Sequence, residues 1–318
     1  MRPVDRAMFE DRPQKRAVRT LWLEELKRIT YRAEDGVPLY LTLPGAEGKD
    51  IELLALHGLI SLTDVHGIAA TDRFKVIAVE SSPRAALRLQ EKFPGLKIIE
   101  ARIQDILRGD SPTKWPDKRE EILCRARVIN LDVDEPVEAH LADESVMFPL
   151  LERVRKLALL HAQAHPLDWL LLLSAHGEIL WDEAVSLDVQ EFLAENCARE
   201  AEFRVGLANQ LGDKLVKEIE EGKAGTLSLL SQELQQRLLL SFVPKKIVAL
   251  VQNQCWRVEA LWNYYYGGRN RDAPIATWAI AFHVDRRASS RPDTLYREGL
   301  RSVFRRVGRI AEDGTIQE

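Results

Sequence analysis

The chain has 318 residues, enough for one large α/β domain with additions or for two small domains. Apolar residues make up 46%, charged residues 30%, and the formal net charge is −4, the balance of an ordinary globular protein. No apolar run approaches the ~20 residues that a membrane span requires, and the N-terminus lacks a signal-peptide core. Three cysteines without a Cys-x-x-Cys pair argue against a disulfide framework or a structural zinc site. We therefore predict a cytoplasmic protein with no membrane partner.

Residues 1–35 are predicted as a helical lead-in, because helical spacing separates Trp22, Leu23, Leu26 and Ile29. From residue 36 onward, short apolar runs alternate with amphipathic stretches. The predicted strands are Leu39–Leu43, Val76–Val79, Leu96–Ala101, Val128–Asp132, Trp169–Leu173, Trp256–Tyr266 and Ile275–Val284. The predicted helices are Asp50–Ile60, one that begins at Ser82-Pro83, Phe148–His165, and two or three within 183–253. Residues 110–121 are predicted as a charged loop.

The order of these elements predicts an α/β fold. Alternating βα units produce a doubly wound parallel sheet with right-handed crossovers, and the closing hairpin requires at least one antiparallel strand. We therefore expect a mostly parallel, seven-stranded sheet over residues 36–288, with a helical insertion at 183–253 before the hairpin. Residues 289–318 are predicted as a basic tail, because residues 286–309 contain eight arginines and two acids.

The first strand runs into a turn that contains glycine, Pro44-Gly45-Ala46-Glu47-Gly48, and then into a helix. This arrangement is how α/β folds build a site for a nucleotide-like or anionic ligand. The glycines allow close backbone approach, whereas Glu47 would repel the phosphates of NAD or ATP. The turn therefore favours a ligand without a pyrophosphate, if it is more than a tight connection.

Acidic residues end two further strands. Glu80 follows Lys75–Val79, and an acid there can bond two vicinal hydroxyl groups, although it could equally be a solvated strand end. The run Asp132-Val-Asp134-Glu135-Pro136 ends the fourth strand. Its acids could bind a divalent cation, orient a nucleophile or form an exposed acidic corner. No histidine spacing supplies a set of metal ligands, so we assign no metal site.

These features resemble the class I S-adenosylmethionine-dependent methyltransferases, whose sheet ends in a reversed strand inserted beside the fifth strand. The resemblance implies S-adenosylmethionine as the cofactor, with contacts from the turn 44–48. It also implies that Glu80 holds the ribose hydroxyls and that Asp105 meets the adenine amino group. Substrate-facing catalytic roles fall to the residues that end the fourth strand, Asp132, Asp134, Glu135 and Pro136. The family's turn normally opens with an acid and carries several glycines, and here Thr42, Pro44 and Ala46 occupy three of those places.

Arginines near the C-terminus suggest a nucleic-acid surface, since each phosphate contact releases counterions. The candidates are Arg269 and Arg271 in the hairpin loop and Arg301, Arg305 and Arg306 in the basic tail. The competing interpretation is that these arginines are solvated and that Leu300, Val303 and Phe304 pack on the domain. The helices of 183–253 offer a surface for a protein partner.

The leading hypothesis is therefore a methyltransferase that acts on a nucleic acid or another macromolecule. The alternative is a catalytically degenerate methyltransferase fold that serves as a binding or scaffold subunit of a bacterial complex. A looser resemblance to methyltransferase-like proteins of bacterial mobile and defence loci suggests that such a complex acts in defence. A metal-dependent nuclease that uses the acids near Asp132 is a third hypothesis.

Overall fold

The computed structural model of the chain describes residues 12–29, 38–60, 62–63, 67–68, 75–103, 106, 119–136, 150–163, 166–176, 183–223, 225, 227–252, 254–267, 274–287 and 290–318. The strands are β1 Leu39–Thr42, β2 Leu62–Thr63, β3 Gly67–Ile68, β4 Lys75–Glu80, β5 Lys97–Glu100, β6 Ala126–Pro136, β7 Trp169–His176, β8 Trp256–Tyr266, β9 Ile275–Val284, β10 Val307–Ile310 and β11 Ile316–Gln317. The helices are α1 Pro13–Arg28, α2 Lys49–Leu56, α3 Pro83–Lys92, α4 Arg119–Arg125, α5 Leu150–Gln163, α6 Glu183–Arg199, α7 Ala201–Leu211, α8 Asp213–Glu220, α9 Gln232–Leu250 and α10 Pro292–Ser302.

One nine-stranded sheet organises the described residues, in the order β11-β10-β8-β9-β7-β6-β1-β4-β5. The strands β5, β4, β1, β6 and β7 are parallel to one another. β9 runs antiparallel between β7 and β8. The α/β class, the mostly parallel sheet and the antiparallel strands near the C-terminus are thus confirmed.

The predicted strand number of seven is wrong. The sheet continues past β8 because β10 pairs parallel with β8 and β11 pairs antiparallel with β10. Both strands come from the segment that the arginine count marked as a tail, together with α10. Leu295, Leu300 and Val303 of that segment are buried, so a few apolar positions anchor it despite its charge.

β1 lies at the centre of the parallel strands, as the alternating βα order predicts. Its Leu39–Thr42 pair with Lys75–Ala78 of β4 on one side and with residues 126–130 of β6 on the other. Most residues of these runs are apolar because helices cover both faces of the sheet. The helices α1, α2 and α3 pack on one face, and α5 to α10 pack on the other.

Several element boundaries differ from the predicted ones. α2 ends at Leu56 rather than at residue 60, because Gly58 takes a left-handed φ of 67° that ends the helix. β6 and β7 extend beyond their apolar cores to Pro136 and His176. α4 begins at Arg119, inside the predicted loop. The described part of 183–253 contains four α-helices rather than two or three, since short breaks at Glu200 and Gly212 divide it.

A buried lysine connects three of the helices that pack on the same face of the sheet, α6, α9 and α10. Lys245 of α9 is fully buried, and its Nζ donates to the hydroxyl of Tyr296 in α10. That hydroxyl donates to Asn196 of α6, and Lys245 Nζ lies 3.8 Å from the ring centre of Phe192 in α6. Burial lowers the pKa of Lys245 to about 6, so its side-chain amine is neutral at pH 7.

We expect Lys245→Met to raise the melting temperature most at low pH. Between the ordinary lysine pKa of about 10.4 and about pH 6, the unfolded chain binds a proton that the folded chain does not. The folded state of the wild type therefore loses about 1.4 kcal/mol per pH unit as the pH falls through this window. Lys245→Met removes that loss. Thermal melts at pH 6, 7.5 and 9.5 measure it, with Lys214→Met as the control because Lys214 is 92% exposed. If the melting temperatures of Lys245→Met and the wild type differ by the same amount at all three pH values, the lowered pKa of Lys245 is contradicted.

Candidate ligand site at the carboxyl edge of the sheet

Parallel pairing brings three of the predicted site segments to one edge of the sheet. β1 ends at Thr42, β4 ends at Glu80, and Asp132 lies near the end of β6. In register, Thr42 faces Ala78 and Asn130 on its two neighbours. The carboxyl ends of parallel strands are where α/β folds bind ligands. The turn 44–48, Glu80 and Asp132 therefore lie at one candidate site.

The turn after β1 has a backbone that only glycine adopts at low cost. Gly45 and Gly48 have φ values of 60° and 53°. A Cβ on Gly48 would lie 2.5 Å from the ring of Phe93, the residue that follows α3. Lys92 also fixes the turn, because its Nζ donates to the carbonyl of Glu47 at 2.6 Å. The turn is thus held against α3 by packing and by a hydrogen bond.

Glu80 presents an oriented carboxylate beside this turn. Its Oε1 accepts the backbone N–H of Ser82 at 2.8 Å, and the side chain is half-buried. Ser82 in turn caps α3, with Pro83 at the first helical position as the sequence predicts. Within the described residues Oε2 makes no hydrogen bond. Glu80 therefore has one oxygen that sets its direction and one that is available to a ligand.

Asp132 forms a partly buried ion pair that the sequence does not reveal. Lys15 Nζ of α1 donates to Asp132 Oδ2 at 2.6 Å, with side-chain exposures of 3% for Lys15 and 26% for Asp132. Asp132 Oδ1 has no hydrogen bond in the described part of the chain. The lead-in helix was predicted only from its apolar stripe, and nothing in its sequence marks Lys15 as the buried lysine.

Beneath the turn lies a second polar group that sequence reasoning missed. Asp50 Oδ2 accepts the hydroxyl of Tyr40 at 3.0 Å and that of Thr42 at 2.5 Å. Asn130 Nδ2 donates to Tyr40 Oη at 3.0 Å and to Thr42 Oγ1 at 3.5 Å. All four side chains are buried. Burial, and next the charge of Asp50, raise the pKa of Tyr40 well above its usual range, so Tyr40 is a neutral donor.

Other predicted site residues fall outside this geometry. Asp105, Arg269 and Arg271 lie outside the described residues. Asp134, Glu135 and Pro136 belong to the backbone of β6, where Pro136 pairs with His176 after an irregularity. In the part of the chain that the structure describes, no group of three or more His, Cys, Asp or Glu side chains could hold a metal ion.

The C-terminal arginines of the predicted nucleic-acid surface pair with carboxylates of the chain itself. Arg301 lies 3.5 Å from Glu200 and 3.4 Å from Glu202, and Arg306 lies 3.2 Å from Glu318. Arg305 pairs with Glu259. By contrast, Arg286 and Arg297 are exposed and make no ion pair with a described residue.

A cavity of about 360 Å³ lies at the opposite edge of the sheet, near the start of β7. Its walls include Glu25 and Arg28 of α1 together with Asp168, which binds His283 at 3.1 Å. None of the predicted site residues lines it. This cavity is therefore separate from the candidate site.

The chain matches no protein-family model, and no curated protein matches it. None of the described helices is long and apolar enough to cross a membrane.

We expect Gly48→Ala to destabilise the chain more than Gly58→Ala. Both glycines have positive φ, but an alanine Cβ at Gly58 meets nothing within 4 Å whereas one at Gly48 meets Phe93. An alanine at positive φ costs about 1 kcal/mol of unfolding free energy. The overlap of its Cβ with Phe93 adds about 1–3 kcal/mol at Gly48. Urea denaturation measures both variants. Equal losses in the free energy of unfolding for the two variants would mean that α3 does not restrain the turn.

Proposed function

We propose that the chain is an S-adenosylmethionine-dependent methyltransferase that acts on a nucleic acid or another macromolecule. The observation that carries the proposal is the oriented carboxylate of Glu80 beside the turn 44–48, at the carboxyl edge of β1 and β4. The strand order adds support, because β9 is the reversed strand next to β7 that the resemblance leads us to expect.

The residues present fit such a cofactor in two respects. The open oxygen of Glu80 and its neighbour Oε1 suit a pair of vicinal ribose hydroxyls. Gly45 and Gly48 let the turn approach the methionine part closely. When bound, S-adenosylmethionine would supply an electrophilic methyl group. The carboxylate of Glu47 in this turn is consistent with a ligand that carries no phosphate.

On the substrate side, Lys15 holds Asp132 so that Oδ2 is occupied and Oδ1 is open. Asp132 would then accept a hydrogen bond from the nucleophile of the substrate and receive its proton. Methyl transfer needs an in-line approach more than strong acid or base catalysis, so orienting the nucleophile is the main task of these residues.

A scaffold function is the alternative, and Thr42 is the observation that favours it. Thr42 occupies the place of the acid that opens the turn in the methyltransferases that the chain resembles. A turn without that acid would weaken cofactor binding. A chain that had lost the cofactor could still offer α6 to α9 as a surface for a protein partner.

We expect Glu80→Ala to weaken binding of S-adenosylmethionine by 10- to 150-fold, which corresponds to about 1.5–3 kcal/mol for hydrogen bonds to a charged group. Isothermal titration measures the affinity. Glu100→Ala is the matched control, because Glu100 is the exposed acid of β5 that pairs in register with Glu80 of β4. Unchanged affinity in folded Glu80→Ala would remove Glu80 from the site. Absence of binding to the folded wild type would favour the scaffold function.

If the macromolecule is a nucleic acid, we expect the unpaired arginines to contribute more than the paired ones. A phosphate contact changes the slope of log K against log salt by about 0.9 on duplex DNA. Replacing Arg286 and Arg297 by alanine should reduce the magnitude of this slope by the amount expected for about two phosphate contacts. Replacing Arg301, Arg305 and Arg306 should reduce the slope by less than the amount expected for three phosphate contacts, because carboxylates of the chain already neutralise these arginines.

Salt-titrated fluorescence anisotropy with duplex and single-stranded probes decides between these outcomes. A larger effect from the paired set would mean that the ion pairs open on binding. If the wild-type chain shows no salt-dependent binding to either probe, a nucleic acid is excluded as the substrate and a protein substrate is favoured.

A further inference from the structure

The cavity near the start of β7 combines an apolar floor with a charged rim. On the side of the sheet it is lined by Leu170 of β7, Ala281 of β9 and Leu261 of β8. Ala281 pairs in register with Leu170 on one side and with Glu259 on the other, so a single methyl group separates two much larger side chains. This small side chain leaves room above the sheet. The resulting volume of about 360 Å³ lies within the range of small-molecule sites, about 300–1,000 Å³.

His283 has a fixed orientation in the wall of this cavity. Its Nδ1 lies 3.1 Å from Oδ2 of Asp168, and Oδ1 of the same acid accepts the backbone N–H of Val284 at 2.8 Å. Burial acts to raise the pKa of Asp168, but the hydrogen bonds from His283 and Val284 lower it overall, so this side chain is a carboxylate at pH 7. Because a carboxylate only accepts hydrogen bonds, Nδ1 carries the proton of the neutral imidazole, and Nε2 presents a lone pair.

Glu259 supplies a second acceptor close to this lone pair. Its Oε2 lies 3.7 Å from Nε2 of His283, which is beyond hydrogen-bond distance. Arg305 binds Oε1, whereas Oε2 accepts no hydrogen bond from a described residue. Two acceptors at this separation repel each other, but one nitrogen that carries two or more hydrogens can reach both at about 2.8–3.0 Å. The gap between them therefore fits a donor group.

The other charges of the wall are already matched within the chain. Nη1 of Arg28 donates to both oxygens of Glu25 at 2.9 Å, so this pair closes on itself. The charge of Arg127, which is 9% exposed, acts on Asp168. The open carboxylate oxygen at the gap is less closely matched, because Nη1 of Arg257 lies 3.7 Å away from it. A cationic donor is therefore favoured at the gap, and an anion would be repelled by both acceptors.

We propose that this cavity binds a small primary amine, whose ammonium group lies between Nε2 of His283 and Oε2 of Glu259. The apolar body of the amine then covers Leu170, Ala281 and Leu261. A metal ion does not fit here, since no group of three or more His, Cys, Asp or Glu side chains among the described residues could hold one. This amine site does not depend on the proposed function, because it lies at the opposite edge of the sheet.

A purely structural role is the competing explanation. A protonated His283 would face Glu259 with an N–H group and would join β9 to β8 as an ion pair. In that case the gap has no use for a ligand, and replacement of Glu259 would change stability alone.

The test compares two probes that share an aromatic body, 2-phenylethylamine with an ammonium group and 2-phenylacetamide with an uncharged NH2 group. In NMR titrations of the full chain, the amine should bind at least about tenfold more tightly than the amide, because its hydrogen bonds are charge-assisted. Glu259→Gln should weaken binding of the amine at least about tenfold for the same reason. Glu220→Gln is the matched control and should leave it unchanged. Glu220 is 28% exposed against 21% for Glu259, is likewise paired with an arginine, and does not line the cavity.

Ala281→Leu tests the floor without changing a polar group. The larger side chain would occupy the space above the sheet, so binding of 2-phenylethylamine should fall at least about tenfold. Its melting temperature should stay equal to that of the wild type or rise, because the substitution fills a cavity. If Ala281→Leu does not fold, Ala281→Val has to weaken binding of the amine.

Several results would overturn the proposal. A dissociation constant of 2-phenylethylamine weaker than about 10 mM, or equal affinity for the amide, would exclude an amine site. Unchanged binding in Ala281→Leu, or an equal loss in Glu220→Gln, would place the amine elsewhere on the chain. A lowered melting temperature of Glu259→Gln without amine binding to the wild type would establish the structural role. None of these outcomes bears on the titration with S-adenosylmethionine, so either proposal can fail alone.

Discussion

The pairing of β1 with β4 and β6 is the constraint on which the rest of the structure depends. β1 has four residues, all buried, and both of its edges are bonded to longer parallel strands. This register places Thr42 beside Asn130 and sets Glu80 and Asp132 at the same edge. A slip by one residue would exchange the two faces of β1 and move Tyr40 and Thr42 away from Asp50. The site therefore follows from one short strand whose apolar neighbours tolerate no other register.

Polar groups at this edge continue the alternation of one sheet face. Val76 and Val128 point to the face that α1 to α3 cover, and the same alternation carries Glu80, Asn130 and Asp132 to that face. The other face remains apolar through Ile77, Val79 and Ile129. Buried polar groups of this kind usually cost stability, and folds retain them chiefly where they serve a function. Their concentration on one face at the carboxyl edge is the physical reason to look for chemistry there.

The sequence predicts the sheet well because its strands are continuous apolar runs between clear breaks. The hairpin Trp256–Tyr266 and Ile275–Val284 matches the predicted bounds, and Ser82-Pro83 begins a helix as expected. β10 and β11 were missed because strands of four and two residues are too short to carry a periodic signal. At the site, the strand-end acids could be found from the sequence. Lys15 and Asp50 could not, because a helix sequence gives no sign of which charged side chain the tertiary packing will bury.

The buried Asp50 and the partly buried Asp132 differ in how their charge is balanced, and this difference bears on function. Asp132 has a lysine at 2.6 Å, so the chain itself supplies its counter-charge and fixes its direction. Among the described residues, Asp50 has only neutral donors, and Tyr40 is kept neutral by its own burial and by the carboxylate. A fold that served only as a scaffold would gain stability by replacing Asp50 with a neutral residue of the same size. An unbalanced carboxylate beneath the glycine turn therefore favours a binding function at this edge over a purely structural one.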